Sequence, residues 1–570
     1  MAPQHLLLLR SAQSTARYGL FLQEILRSEG FMQFDAIDLD TQCFPRLGPD
    51  DLIVLSRCIL RRGEIDTLCD AVQGGAALVA VQPQAALVEK FGGRPALRVI
   101  YPGMLSVEAG LPSEGHPLQT HVPITCYAND GSHWSALAHA SPCDGRETPY
   151  PALVRTTLGR GTAWIFFYDL AEAIARLRFG DPALANYATT GLWAWPHAAD
   201  QFQGQLDIQL SRRPHADLHS QILAHALIDA YRHPLARFWY YPAVEQRAGA
   251  VIQSDEDSST AEQVETLASV LERRGGATTL YLMHDTALGA DAVNALRRRG
   301  HTFGPHPNPH RGTDEWHFSF PEILREETAH FRSRFGPPSP TLQSHCAPWL
   351  GHLEWVSLHV ELGYRLLFAY ISLPVEMWGK FMAGSGRPIR FFDGTMGLFD
   401  CWQQPIIFYD DTSVIGLLTN RLDQAHRHFE SVLADALECT HTTLPFLSHP
   451  VSFCTYSRPF MERCFDRLVS AAVPILNGDQ WLEFIDRRAT ASLKQESSPD
   501  GTLRCRIRNL KCRLALMLPT AKCPPARFDV RINGTTTTPV KLNRFNTDYL
   551  AVNLAGDEQH SEFTVEFRTT

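Results

Sequence analysis

Residues 247–257 read Arg-Ala-Gly-Ala-Val-Ile-Gln-Ser-Asp-Glu-Asp, an apolar run of strand length that stops abruptly at three carboxylates. A continuous apolar run suits a strand covered on both faces, as in a parallel sheet. The same unit then repeats. Residues 260–275 carry a helical pattern, 277–284 a strand, and 289–299 a helix stopping at Gly300. The alternation continues through 321–335, 341–346, 352–363 and 365–372. Repeated strand–helix units predict a parallel α/β barrel or distorted barrel rather than a sandwich.

Ligands in such folds collect at the C-terminal ends of the strands, where Asp255, Glu256 and Asp257 stand. Three adjacent carboxylates raise one another's pKa and are costly unless a cation neutralises them. The same residues precede the helix expected near Thr260, so Asp257-Ser258-Ser259 also reads as its N-cap. A second cluster lies at 300–310, Gly-His-Thr-Phe-Gly-Pro-His-Pro-Asn-Pro-His. His306 and His310 sit four apart, and Pro305, Pro307 and Pro309 forbid a regular helix and stiffen the loop. Neutral imidazole is the commonest ligand for borderline divalent metals. Two histidines and one carboxylate leave open coordination positions, the pattern of a catalytic zinc-type site.

The 300–310 stretch resembles the second motif of the NodB-type polysaccharide deacetylases, Gly-His-x-φ-Gly-x-His-x-x-x-His, whose last two histidines bind the metal. The resemblance implies a distorted (β/α)7 barrel that removes acyl groups from amino sugars. It also implies an Asp-Asp pair at the end of the first barrel strand, a general base and then a metal ligand. Aligned without gaps, Asp255 takes the base role and Glu256 the ligand role. Asp257 stands where the family usually has Gly, and a shift of one residue would make it the ligand instead. Leu444-Pro-Phe-Leu-Ser-His449-Pro450 matches the strand-end histidine that serves as general acid. The third motif, Arg-x-Pro-aromatic, corresponds to His345-Cys346-Ala347-Pro348-Trp349; His345 is a substitute partner for the absent Arg, and Pro348 and Trp349 are substrate-side candidates. The fourth, an Asp-Trp element, has loose counterparts in Asp393, Asp400 and Trp402. The implied cofactor is zinc, with cobalt, nickel and manganese acceptable to the same donors, and the implied partner is a carbohydrate or sugar conjugate.

The chain, at 570 residues, exceeds a single core. We expect four parts: 1–185, an α/β accessory domain; 186–245, a connecting segment; 246–489, the barrel; and 490–570, a small β-sandwich. The first has strand candidates at 5–10, 52–56, 77–81 and 163–168, and helices at 14–29 and 63–73. It resembles the class I glutamine amidotransferase-like, flavodoxin-like fold. Cys58 follows a strand there, but Arg57 and Ile59 are too bulky for a strained nucleophile elbow, so the domain is read as non-catalytic. Pro234–Pro242 is an aromatic cluster between prolines, expected to strap domains together. Short alternating runs beyond 490, with Asn533-Gly534 as a hairpin turn, predict the sandwich.

A net charge of −9 without a basic patch argues against nucleic acid. No apolar stretch approaches a membrane span, and the four-leucine run near the start reads as a strand rather than a signal peptide. Thirteen cysteines without paired spacing fit reduced thiols and a cytoplasmic location. Two functions are compatible with these features: a metal-dependent deacetylase, and a carbohydrate-binding or regulatory protein on an impaired deacetylase scaffold.

Overall fold

The four leucines at 6–9 enter the buried strand Leu6–Arg10 of a computed structural model. It describes residues 2–3, 6–11, 18–129, 131, 134–186, 196–202, 213–309, 316–371, 386–410, 422–498, 500–522 and 528–569. The chain divides into two units. One comprises Met1–Leu177, His215–Glu245 and Arg487–Thr570; the other comprises Arg178–Pro214 and Gln246–Asp486.

In the first unit, Leu6–Arg10, Phe34–Asp38, Leu52–Leu55, Ala77–Val81 and Gly161–Phe166 pair in parallel. Counted along the chain, their spatial order is second, first, third, fourth, fifth, the flavodoxin-like doubly wound order. Pro151–Leu158, Ser135–Pro142, Gly103–Val107 and Leu118–Gln119 extend the sheet in antiparallel fashion. Neither that extension nor Phe34–Asp38 stands out in sequence. Phe34–Asp38 is an edge strand, half-buried and interrupted by aspartates, so its apolar signal is weak.

The same unit holds two antiparallel sheets built mostly from residues beyond 490. One contains Ala2–Pro3, Ser492–Ser497, Leu503–Arg508, Phe563–Thr569, Phe528–Ile532 and Thr535–Thr537. The other contains Arg237–Phe238, Arg513–Pro519, Thr547–Ala555 and Val540–Arg544. Asn533 and Gly534 both take positive φ, 50° and 83°, as a tight hairpin turn requires. The Pro234–Pro242 aromatics belong to the second sheet: Arg237–Phe238 pairs with Arg513–Pro519, and the Trp239 N–H donates to the Ala515 carbonyl at 2.9 Å. Trp239 and Tyr241 are fully buried, and the Arg544 guanidinium lies 5.4 Å from the Trp239 ring.

The second unit is built around Ala250–Asp255, every residue of which is buried. It pairs in parallel with Thr279–Leu282, Leu444–Ser448 and Ile475–Leu476. Thr302–Pro305 and Phe408–Tyr409 add to the two sides, again parallel. A second sheet holds Thr341–Leu342, Leu366–Leu367, Gly397–Gln403 and Ile389–Asp393. Ala250 and Ile252 pack with Leu267, Leu271, Phe446 and Phe465 in one apolar cluster. Leu280, Leu282, Phe303 and Val293 share another. Each fully buried aromatic or aliphatic side chain of this kind contributes roughly 1.5–3 kcal/mol. The core therefore fixes the strands, and the strands fix where their ends point. Among the described residues, no helix is long and apolar enough to cross a membrane.

Candidate functional site

Four strands of the parallel sheet in the second unit, and one strand of the second sheet, end at one place. Asp255 ends Ala250–Asp255, and His306 follows Thr302–Pro305 directly. His345 comes three residues after Thr341–Leu342, Asp410 follows Phe408–Tyr409, and His449 follows Leu444–Ser448. Because the neighbouring strands of the parallel sheet run the same way, Asp255, His306, Asp410 and His449 converge at the same edge, and His345 reaches it from the second sheet.

The backbone turns sharply after Asp255. Asp257 and Ser258 adopt φ of 40° and 62°, a left-handed conformation that suits glycine and costs other residues on the order of 1 kcal/mol. This reversal separates the two acidic side chains. The Asp257 carboxylate enters the site, while the Glu256 carboxylate accepts from the Met283 N–H at 3.2 Å. Burial raises the Glu256 pKa, with the Met283 and Thr286 hydrogen bonds working against it. The helix Ala261–Glu272 is capped by Thr260, whose hydroxyl accepts from the Gln263 N–H at 3.3 Å. The cap is thus one residue later than Asp257-Ser258-Ser259, and Asp257 faces imidazoles instead. A second left-handed pair, Cys346 and Ala347 with φ of 56° and 45°, follows His345.

His306 is fully buried. Its Nδ1 lies 2.9 Å from the Gln343 carbonyl, which makes Nδ1 the protonated nitrogen and leaves Nε2 as the ligand-type atom. Nε2 stands 3.3 Å from Asp257 Oδ1, 3.5 Å from Asp255 Oδ2 and 3.3 Å from His345 Nδ1. His345 Nδ1 is 3.2 Å from Asp257 Oδ1. Asp257, His306 and His345 therefore form a three-residue group able to hold a metal ion, their donor atoms all within 4.8 Å of one another. His310 lies outside the described residues.

Charge balance favours a cation here. Burial pushes Asp255 up to about 6. Burial works the same way on Asp257, but hydrogen bonds from His306 and His345 outweigh it and hold the carboxyl well below its ordinary range. Burial opposes a charged His306, yet Asp255 and Asp257 more than offset it and raise the imidazole to about 9. One buried carboxylate, Asp255, and one half-buried, Asp257, thus face one imidazolium, and Asp255 Oδ1 has no hydrogen-bond partner. A divalent ion fits this donor set and would neutralise the excess.

His449 Nε2 is 4.0 Å from Asp255 Oδ2 and 3.5 Å from Asp257 Oδ2. On its other side Asp410, almost fully buried, lies 3.0 Å from Nδ1 and accepts the His449 backbone N–H at 3.2 Å. The Ser457 hydroxyl donates to the same carboxylate at 3.1 Å. Asp410 escaped sequence reading: its strand is two residues long, too short for a periodicity signal. The loose Asp-Trp counterparts are engaged elsewhere. Asp400 pairs with Arg365, the Trp402 indole donates to Asp486, and Asp393 caps the turn at Thr395 and Met396. Trp349 is fully buried and donates to the His352 carbonyl. Pro348 bridges to His197. Neither Pro348 nor Trp349 lines the cavity beside the site, whereas His345, Cys346 and Ala347 do.

No protein-family model and no curated protein matches the sequence. Among solved structures, the chain is similar to one described as a polysaccharide deacetylase from Mycobacterium smegmatis, at 12% identity over 45% of this chain and 96% of that one, with a TM-score of 0.34. A polysaccharide deacetylase from Bordetella bronchiseptica aligns at 16% identity over 39% and 81%, with a TM-score of 0.25. A β-galactosidase from Rahnella aligns at 15% identity over 29% of each chain, with a TM-score of 0.24. Likeness of this size leaves the chemistry to the residues themselves.

Proposed function

We propose that this protein is a metal-dependent hydrolase that removes an acyl group from the nitrogen of an amino sugar or sugar conjugate. The observation that supports it is the convergence of Asp255, Asp257, His306, His345 and an Asp410-held His449 at strand ends of two sheets. Asp257, His306 through Nε2 and His345 through Nδ1 would hold the ion, zinc by preference. The NodB-type spacing adds His310 as a further ligand. The ion would supply polarisation of a water and of the scissile carbonyl. Asp255 takes the water's proton, and its raised pKa suits a base working near neutral pH. His449 donates to the leaving nitrogen, with Asp410 fixing its ring orientation and supporting the charged form. Glu256 stays outside the ligand set.

The resemblances further support a distorted (β/α)7 barrel for 246–489 and an amidotransferase-like accessory domain for 1–185; the alternating runs beyond 490 support a β-sandwich for 490–570, and the unpaired cysteine spacing a cytoplasmic location. The test is elemental analysis of the purified protein together with release of acyl groups from N-acylated hexosamine oligomers and nucleotide sugars. Stoichiometric zinc with turnover supports the reading. Absence of turnover on every acyl amide, with or without bound zinc, would favour the impaired scaffold instead.

A further inference from the structure

Beside the carboxylates and imidazoles lies a cavity of about 220 Å³. Asp255, Asp257, His345 and His449 form one wall of it. Most of the remaining lining, among the described residues, is apolar: Ala199, Ala347, Ala369, Ile371, Leu447 and the Tyr409 ring. Gln343 and His197 are the polar side chains among the rest of that lining. Gln343 is 1% exposed, and its Oε1 has no hydrogen-bond partner.

A closed apolar cavity of about 150 Å³ already admits a benzene ring, so this space exceeds what the methyl of an acetyl group fills. Sugar hydroxyls seated against alanine, isoleucine and leucine would lose water and gain no partner. The apolar walls therefore suit the half of the substrate that carries no hydroxyls, which in an acylated amino sugar is the acyl half.

Resting on the amide-hydrolase reading above, we propose that the acyl group this site takes is apolar and larger than acetyl, of butyryl to benzoyl size, with the Gln343 carboxamide accepting the substrate's amide N–H. The amide C–N bond breaks and a C–O bond forms from water. One water proton passes to Asp255, the amine takes one from His449, and the products are a carboxylate and a free amine.

The experiment measures kcat/KM of the full-length, zinc-loaded protein on glucosamine carrying acetyl, butyryl, hexanoyl or benzoyl groups, and on N-acetylbenzylamine. One methylene in an apolar pocket is worth roughly 10- to 200-fold. Butyryl or benzoyl glucosamine is therefore expected to exceed the acetyl compound by at least about tenfold. Ala369→Leu fills the cavity and should lower the ratio of benzoyl to acetyl kcat/KM by about tenfold. Acetyl glucosamine as the best substrate would overturn the inference and leave the deacylase reading intact. N-acetylbenzylamine as the best substrate would put the apolar group on the amine side and also overturn it. Release from no member at all would sink the amide-hydrolase reading itself. The wild-type series decides the matter even if Ala369→Leu does not fold.

Discussion

Both units contain a parallel sheet, and in both the strand ends carry polar side chains. In the first unit, Ser56 and Cys58 follow Leu52–Leu55, Gln82 follows Ala77–Val81, and Asp169 comes soon after Gly161–Phe166. Gln82 even shares a left-handed backbone, with φ of 41°. Yet these groups do not neutralise one another. Burial pushes the Cys58 thiol up to about 12, with Glu64 and Asp40 adding to the effect, and burial pushes Asp169 up to about 6. In the second unit, acids and imidazoles face each other within 4 Å. There the low dielectric strengthens their attraction and keeps charged forms in place. A strand end supplies candidates. Mutual charge decides whether they become a reactive set.

The sharpest way to break this contrast is to empty the metal group. Asp257→Asn combined with His306→Ala should leave no stoichiometric zinc by elemental analysis and no measurable turnover. Single His345→Ala and His310→Ala variants, compared for zinc content, rank the third imidazole; unchanged metal in His345→Ala would remove it from the ligand set. Next in size, Asp255→Asn should lower kcat/KM on the order of a thousandfold while zinc stays bound. Loss of zinc in that variant would turn the base into a ligand.

Smaller effects concern protons. Asp410→Asn should cost roughly a hundredfold in kcat. Because a carboxylate beside His449 stabilises its charged form, the alkaline limb of the pH profile should also move to lower pH; an unmoved limb would leave Asp410 a purely structural role. In wild type, Asp255 must be ionised, so kcat/KM should fall about tenfold per unit on the acid side, with the limb below the metal-free value of about 6 because a bound cation favours the carboxylate. In the chelated protein, Asp255 and His306 both have raised folded-state values. Their stabilising contributions are complete below about 4 and about 6.5, respectively. They are lost as pH rises through about 6 and about 9. Zinc affinity should correspondingly increase with pH toward about 9, since His306 must shed a proton to bind. The smallest effect is expected in the first unit. Cys58→Ala should leave turnover unaltered, and glutamine hydrolysis abolished by Cys58→Ala would erase the distinction between the two sheets.

The long elements of the second unit were legible because each is strongly apolar and regularly spaced: Ala250–Asp255, Thr279–Leu282 and Leu444–Ser448 all lie within the runs read from sequence. Strand ends then follow from strand positions, which points to Asp255 and His449; His306 is legible only from its spacing to His310, since the prolines mask the strand Thr302–Pro305 that precedes it. Strands of two residues, such as Phe408–Tyr409, give no periodic signal. Asp410 was therefore invisible although it touches His449. The choice between Glu256 and Asp257 was also closed to sequence, because it turns on two dihedral angles. Likewise, the burial of Trp349 depends on Tyr370 and Phe391, its ring neighbours at 5.1 and 6.0 Å, which are distant in sequence.

The left-handed pair at Asp257 and Ser258 has a consequence for recognising chains of this kind. A pattern that demands two consecutive aspartates at a strand mouth passes over this sequence, since the letter following Asp255 is Glu. The carboxylate that meets the imidazoles is selected by chain handedness one residue later. Searches for distant relatives would do better to weigh an acidic residue at the reversal itself, whatever letter stands between it and the strand.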